Sequence, residues 1–523
     1  MHESSLSNAC KAATPLAMAM VLAMAGCAGQ GTTPAAETGG SDGNDSPKQS
    51  ASVRQSLSND ASDGHAISVS GETKEYSSTD VTKTGDSDGD EADFYGTNAA
   101  VYAEEGANLT LSDMTVDTNG KHANAVFSYG QGTTVAISDS RIHTSSDCSG
   151  GIMVTGGGTL NASNLDIHTE GRSSAAIRSD RGGGTQVVNG GTYETDGMGS
   201  PAIYSTADVT VRNATLKANT SQGVVVEGKN SVTLEDVSLT ASNTAKNSDK
   251  SDWYQAVMIY QSMSGDASEG TAGFSMRDGS IDNKNGDVFF VNNTSANITL
   301  DGASITNEDA NGLFLRAAAA GWGKEGSNGG HVTLDATNQQ IRGGIAVDSS
   351  SSLNLHLGSG SSLEGSITTE ASGQTHVSLS DGAKWVLTGD SRITSLTCSA
   401  DSIDLNGHTL HVGDVAYEAG TASTGTDIVV ETKSTGQGGA PGEGGTPGDG
   451  SQPPAKPEGE TGEPPAKPEG AGTGGQSGSN GSGQQPGGNG SGGQPPAKPS
   501  GKSTSGNTSS KSKTSSGSSD TAA

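Results

Sequence analysis

Along the middle of the chain, apolar and polar side chains alternate in short runs, and the runs return in register. Leu109-Thr-Leu-Ser-Asp113-Met-Thr-Val116 comes back as Val135-Ala-Ile-Ser-Asp139-Ser-Arg-Ile142 and Leu160-Asn-Ala-Ser-Asn164-Leu-Asp-Ile167. Further copies begin at Val209, Val232, Phe274 and Ile298, with a looser one around Gly190. A period of two predicts strands with one buried face. At the centre of each copy stands Asp113, Asp139, Asn164, Gly190, Asn213, Asp236, Asp278 or Gly302, and no other residue type. These are the types that tolerate a left-handed backbone, as a sharp bend between two strands requires.

After each bent pair comes a third short apolar strand, such as Ala125-Val-Phe-Ser, Gly151-Ile-Met-Val, Ala202-Ile-Tyr-Ser or Gly312-Leu-Phe-Leu. Three strands per repeat predict an all-β fold: a single-stranded right-handed parallel β-helix, the pectate-lyase-like solenoid, over residues 65–431. One coil cannot bury its inner face alone, but stacking coils at about 4.8 Å closes the core and completes the backbone ladder. Matching residues then lie above one another, and Thr118, Thr144, Thr169 and Thr195 form one predicted ladder. A β-sandwich of unrelated strands would not hold Asp, Asn and Gly in a single column. About 15 coils fit, a stack of roughly 70 Å at that spacing.

Composition agrees with a narrow core. Hydrophobic residues are 30% and aromatics 3% of 523 residues, with 79 glycines. The net charge of −30, from 29 basic and 59 acidic side chains, argues against nucleic acid as a partner, because phosphates attract clustered Lys and Arg. Cys148 and Cys398 fall about ten coils apart, far beyond the roughly 7 Å limit for a disulfide, so both are expected as isolated thiols.

The ends read differently. Residues 1–26 carry an apolar run, AATPLAMAMVLAMA, of signal-peptide length, and Gly26-Cys27 follows it. This junction resembles the bacterial lipobox, which implies lipidation of Cys27 and an anchor in the membrane. Residues 27–64 are rich in Gly, Ser, Thr, Asp and Asn and predict a disordered tether. Residues 432–523 are a Gly/Ser/Pro-rich disordered tail in which the unit PPAKP occurs three times.

Trp385-Val-Leu-Thr-Gly-Asp-Ser-Arg-Ile-Thr-Ser-Leu396 and Leu405-Asn-Gly-His-Thr-Leu410 resemble the last coils of autotransporter passenger domains. More broadly, residues 66–412 are similar to β-helix surface lipoproteins of Gram-positive gut bacteria, including Asp93-Phe-Tyr-Gly-Thr-Asn-Ala and Ser179-Asp-Arg-Gly-Gly-Gly-Thr185. The resemblance implies a β-helix on the extracellular face of the membrane, with a lean toward adhesion.

Candidate chemistry lies on the third strand. One predicted outward column runs Phe127, Met153, Arg178, Tyr204, Val225, Met258, Phe289 and Phe314, and its neighbour carries Tyr129, Asp180, Tyr260 and Arg316. Aromatic faces can stack on sugar rings while Arg and Asp bond hydroxyls; the alternative is that flanking loops cover these groups. A second column, Asp117, His143, His168 and Glu194, would bring two imidazoles within reach of one metal ion. Asp86-Ser-Asp88-Gly-Asp90-Glu-Ala-Asp93 resembles a calcium loop, although Gly at the sixth place and Glu at the twelfth are missing, so calcium competes with a solvated acidic turn.

The leading functional expectation is a non-catalytic adhesin or binding rod for a glycan or host surface protein. A polysaccharide lyase or hydrolase is the second, with Arg178, Asp180, Arg181 and Glu227 as the nearest polar cluster and no tight carboxylate triplet. A structural envelope spacer is the third.

Overall fold

The computed structural model describes residues 54–429 apart from 247 and 263. The lipobox, the first part of the expected tether and the expected tail lie outside these residues. The described chain is a parallel β-helix. One sheet has 19 strands and holds both legs of the bent pairs as far as Ser304–Asn307 and only the first legs after that. A second has 12 and holds the third strands, a four-stranded sheet holds the later second legs, and a three-stranded sheet lies at the C-terminal end of the coils.

The bends follow the sequence pattern. Asp113, Asp139, Asn164, Asn213, Asp236 and Asp278 have φ between 49° and 59°, and Gly190 and Gly302 have φ of 73° and 70°. Registers place these positions coil over coil; Leu111 and Val116 flank Asp113 as Ile137 and Ile142 flank Asp139. The column extends one coil toward the N-terminus, to Ser78, and on through Asn338, Gly360 and Gly382 at the other end, with φ of 47°, 51°, 71° and 83°. Ser78 stays there because its hydroxyl donates to Asp113 Oδ2 at 2.7 Å. Side-chain amides link some neighbours, as Asn164 Nδ2 donates to Asp139 Oδ1 at 2.8 Å. The expected threonine ladder is present, since Thr118 faces Thr144, Thr144 faces Thr169 and Thr169 faces Thr195.

The interior is built from vertical apolar columns. On the 12-stranded sheet one column runs Ile67, Val101, Val126, Ile152, Ile177, Ile203, Val224, Val257, Phe289, Leu315, Ile345 and Ile367. Each is 2% exposed or less. Burying one branched side chain contributes about 1.5–3 kcal/mol, so the stack is held by many equal increments rather than by a wide core.

Two boundaries differ from expectation. Gln55–Asn59 is already a strand, paired in parallel with Thr79–Lys83, so the coils start before residue 65. Low hydrophobicity hid it: only Leu57 of QSLSN joins the core, and Arg54 fixes the segment by bonding Asp80 and Asp113. At the other end the chain turns back across the 19-stranded sheet. Cys398 bridges Ser423, and Asn354 exchanges two hydrogen bonds with the backbone of Ile428.

Three insertions leave the coil path and lie over the outer face of the 12-stranded sheet. The helix Asp90–Tyr95 is one, ended by Gly96 at φ 72°, where a Cβ would stand 2.7 Å from the Tyr102 ring. The others are the segment leading to Trp253 and the excursion that carries Trp322.

Candidate functional site

The outward column of the third strands exists, but it is covered. Registers run Tyr102, Phe127, Met153, Arg178, Tyr204, Val225, Met258, Phe290 and Arg316. Phe127, Met153, Val225, Met258 and Phe290 are 5% exposed or less. The expected open binding face is therefore replaced by two small outer cores: Tyr102, Phe127 and Met153 with Tyr129 at one level, and Val225, Met258, Tyr260 and Phe290 with Tyr204, Trp253 and Trp322 at another.

Three residues sit elsewhere than expected: Phe289 and Phe314 leave the outward column for the main core, and Arg316 enters it. Phe289 points inward, between Phe274 and Phe314, with ring centroids 5.5 Å from each, and all three belong to the main core. In Val288-Phe289-Phe290-Val291 every side chain is apolar, so alternation cannot say which ring faces in; pairing of Val257 with Phe289 and Met258 with Phe290 decides it. Arg316, expected in the neighbouring column, occupies the first one and bonds Asp287 through Nε at 2.6 Å.

Beneath the helix Asp90–Tyr95 lies a buried polar cluster. Arg178 donates to Asp93 Oδ1 at 3.0 Å and to Asp180 Oδ2 at 3.2 Å. His122 Nδ1 meets the other Asp93 oxygen at 3.0 Å. Arg181 bonds Asp266 at 2.7 Å and lies 3.8 Å over the Phe94 ring. Three cationic and three carboxylate side chains are thus interleaved, which is how buried charge is tolerated.

Their titration follows from the geometry. Burial raises the Asp93 carboxyl, but Arg178 and His122 outweigh it and hold it below its ordinary value. Burial pushes Asp180 up to about 7 against the pull of Arg178, with Asp93 and Asp266 adding to the rise. The bond to Asp93, then that to Cys148, carries His122 up to about 10.

His122 and Cys148 meet because a second bend stacks as the first does. His122, Cys148, Ser173 and Gly199 all have positive φ, of 56°, 58°, 52° and 68°. The backbone N–H of each of the first three bonds the next coil at the same point, to Asp147, Arg172 and Met198 in turn. The imidazole consequently comes within 4.8 Å of the Cys148 sulfur. Cys148 is unpaired as a disulfide but not isolated; Asp93, His122 and Cys148 offer donor atoms within 4.8 Å of one another. The signal for this contact was the 26-residue step from 122 to 148, equal to that from Asp113 to Asp139. Varied residue types at this bend concealed it.

Farther along the face, Glu227 accepts from Tyr204 at 2.5 Å and from Tyr260 at 3.0 Å. Burial raises both phenols well above their usual range. Over them the two loops hold half-buried Trp253, Tyr254 and Trp322. Arg316 lies 4.5 Å from the Trp253 ring, Lys246 5.4 Å from Tyr254 and Lys250 5.9 Å from Trp322. The loops touch through the Gly321 N–H and the Lys250 carbonyl at 2.6 Å.

On the 19-stranded sheet, His143 and His168 do stack, with ring centroids 5.9 Å apart. His143 Nδ1 contacts Asp117 at 3.2 Å and Nε2 contacts Glu170 at 3.3 Å; His168 Nε2 contacts Asp196 at 2.8 Å. His143, His168 and Glu170 offer donor atoms within 4.8 Å of one another. Glu194 instead pairs with Lys217. In the acidic run, Asp86 accepts the Lys121 N–H at 2.8 Å, Asp88 faces the Lys121 ammonium at 3.6 Å, Asp90 opens the helix, and Asp93 is turned into the buried cluster. Comparison with family models, curated proteins and solved structures finds no match.

Proposed function

We propose that this chain is a lipid-anchored, non-catalytic binding rod on the outer face of a cell membrane, and that its ligand is a glycan. The observation that carries the reading is the pair of joined loops holding Trp253, Tyr254 and Trp322 half-open beside Lys246, Lys250 and Arg316. Rings of this kind stack on sugar faces, and adjacent cations bond hydroxyls or acidic substituents. Insertions in an otherwise regular solenoid are where binding groups concentrate. The contact surface is thus placed on the loops rather than on the strand face below them.

Cleavage of a polysaccharide is the weaker reading. It needs carboxylates free to meet substrate, whereas Asp180 faces Arg178 and Glu227 faces Tyr204 and Tyr260, beneath the loops.

A glycan array probed with the full chain tests the proposal. Binding that is lost in the Trp253→Ala and Trp322→Ala variants is the expected result. No glycan bound, or binding that survives both substitutions, would sink it; retention of a host surface protein instead would move the ligand to that class.

A further inference from the structure

We propose that Cys148, stacked on His122 and through it on Asp93, is a nucleophilic thiol that exchanges with small disulfides. The assignment is independent of the glycan reading, because it concerns a different level of the stack.

The geometry supplies each part of a thiol nucleophile. Cys148 Sγ and a donor nitrogen of His122 lie within 4.8 Å of each other, and His122 Nδ1 meets Asp93 Oδ2 at 3.0 Å. Nucleophile, proton carrier and orienting carboxylate in that order are the arrangement that activates a side-chain nucleophile. Asp93 is itself locked, since its second oxygen accepts from Arg178 at 3.0 Å. Arg178 also reaches the Cys148 carbonyl at 3.4 Å, which keeps a guanidinium beside the sulfur-bearing residue. Cationic surroundings of a partly accessible cysteine mark reactive thiols. His122 and Asp93 are each 8% exposed, whereas Cys148 is half-buried and so the most exposed residue of the three.

The two key residues also sit in left-handed backbone that costs about 1–2 kcal/mol for a side chain other than glycine. His122, Cys148 and Ser173 occupy this bend in successive coils, and Gly199 occupies it in the next.

In the proposed step the Cys148 sulfur attacks one sulfur of a disulfide R–S–S–R. A bond forms between Cys148 Sγ and that sulfur while the R–S–S–R bond breaks. The thiol gives its proton to solvent as the thiolate forms beside the protonated His122 imidazole, and the departing sulfur takes one up, giving the mixed disulfide and one R–SH. The disulfide is both substrate and oxidant. Cys398, the other free cysteine among the described residues, bridges Ser423 near the C-terminal end of the coils and is buried. No second described thiol is at hand to resolve the adduct, so the product is a standing modification at Cys148.

The same three residues could be imagined to hold a metal ion, but Arg178 already occupies one Asp93 oxygen with a positive charge. That contact favours the thiol reading.

The test is the rate at which oxidised glutathione modifies Cys148 in the full chain, read by peptide mass spectrometry. Buried Cys398 serves as an internal report on folding. Cys148 is expected to react at least about tenfold faster in the folded chain than in the urea-unfolded chain. His122→Gln is expected to lower the folded rate by about tenfold or more and to change its pH profile, and Asp93→Asn to lower it less, with Cys398 still protected. Equal rates for folded and unfolded chains would overturn the proposal, as would a fast rate indifferent to His122→Gln. Should a variant expose Cys398, the folded-to-unfolded ratio of the unsubstituted chain still decides the matter.

Discussion

Arg178 Nη1 lies 3.0 Å from Asp93 Oδ1 across 85 residues of sequence. That bond fastens the helix Asp90–Tyr95 to a third strand three coils farther along. Removing the guanidinium leaves Asp93 and Asp180 buried without their shared partner, and breaking a buried pair in this way costs about 3–5 kcal/mol. Arg178→Met is therefore expected to loosen the helix. Amide exchange in Asp90–Tyr95 should rise by more than a hundredfold, and an unchanged rate would show that other contacts hold it.

The cluster also sets a pH dependence. His122 and Asp180 both have folded-state values above their ordinary ones, at about 10 and about 7. Each protonated form is thus favoured by folding, and each contribution is complete below the ordinary value and lost as pH rises through the folded one. For Asp180 that window runs from the ordinary carboxyl value of 3.8 to about 7, and for His122 from the ordinary 6.5 to about 10. Melting temperature should fall in two steps between about pH 5 and pH 10. Asp180→Asn should remove the lower step and His122→Gln the upper; a flat profile would contradict the assignment.

The stacked imidazoles make a separate prediction. His143, His168 and Glu170 have the donor types of a zinc site, with Asp117 and Asp196 as outer carboxylates that orient the rings. Calorimetric titration of the chelator-treated chain should show one equivalent of Zn²⁺ bound, and none at this site after His143→Asn and His168→Asn together. The net raising of His143 by Asp117 and Glu170, against its burial, means protons compete with the ion. Affinity should accordingly weaken as pH falls below neutrality. Heats unchanged by the double substitution would exclude the site.

The bend column can be tested where no side-chain bond complicates it. Asp236, at φ 53°, is exposed and makes its turn contact through the backbone N–H. Asp236→Ala should destabilise by about 1 kcal/mol, and Asp236→Gly should be neutral within about 0.5 kcal/mol. Urea unfolding midpoints measure both. Equal losses for Ala and Gly would mean that the carboxylate, not the backbone angle, matters there.

Most of the solenoid was legible because its cause is local and repeated. A bend that only Asp, Asn or Gly enters cheaply marks each coil, and the period of two around it names the inward side chains. Ser78 escaped that reading because its place in the bend column depends on a bond to Asp113 in the next coil.

What sequence alone determined was the stack itself: Asp113, Asp139 and Asn164 at one bend, Thr118 to Thr195 in one ladder, and apolar columns between them. What only the tertiary structure decided was the fate of the outer face. Whether Phe289 or Phe290 points in depends on pairing with Val257 and Met258, since an unbroken apolar run carries no phase. Whether Phe127 and Arg178 meet solvent depends on a helix and loops that return from elsewhere in the chain. Periodicity records contacts between neighbouring coils, and it is silent about segments that leave the period to cover them.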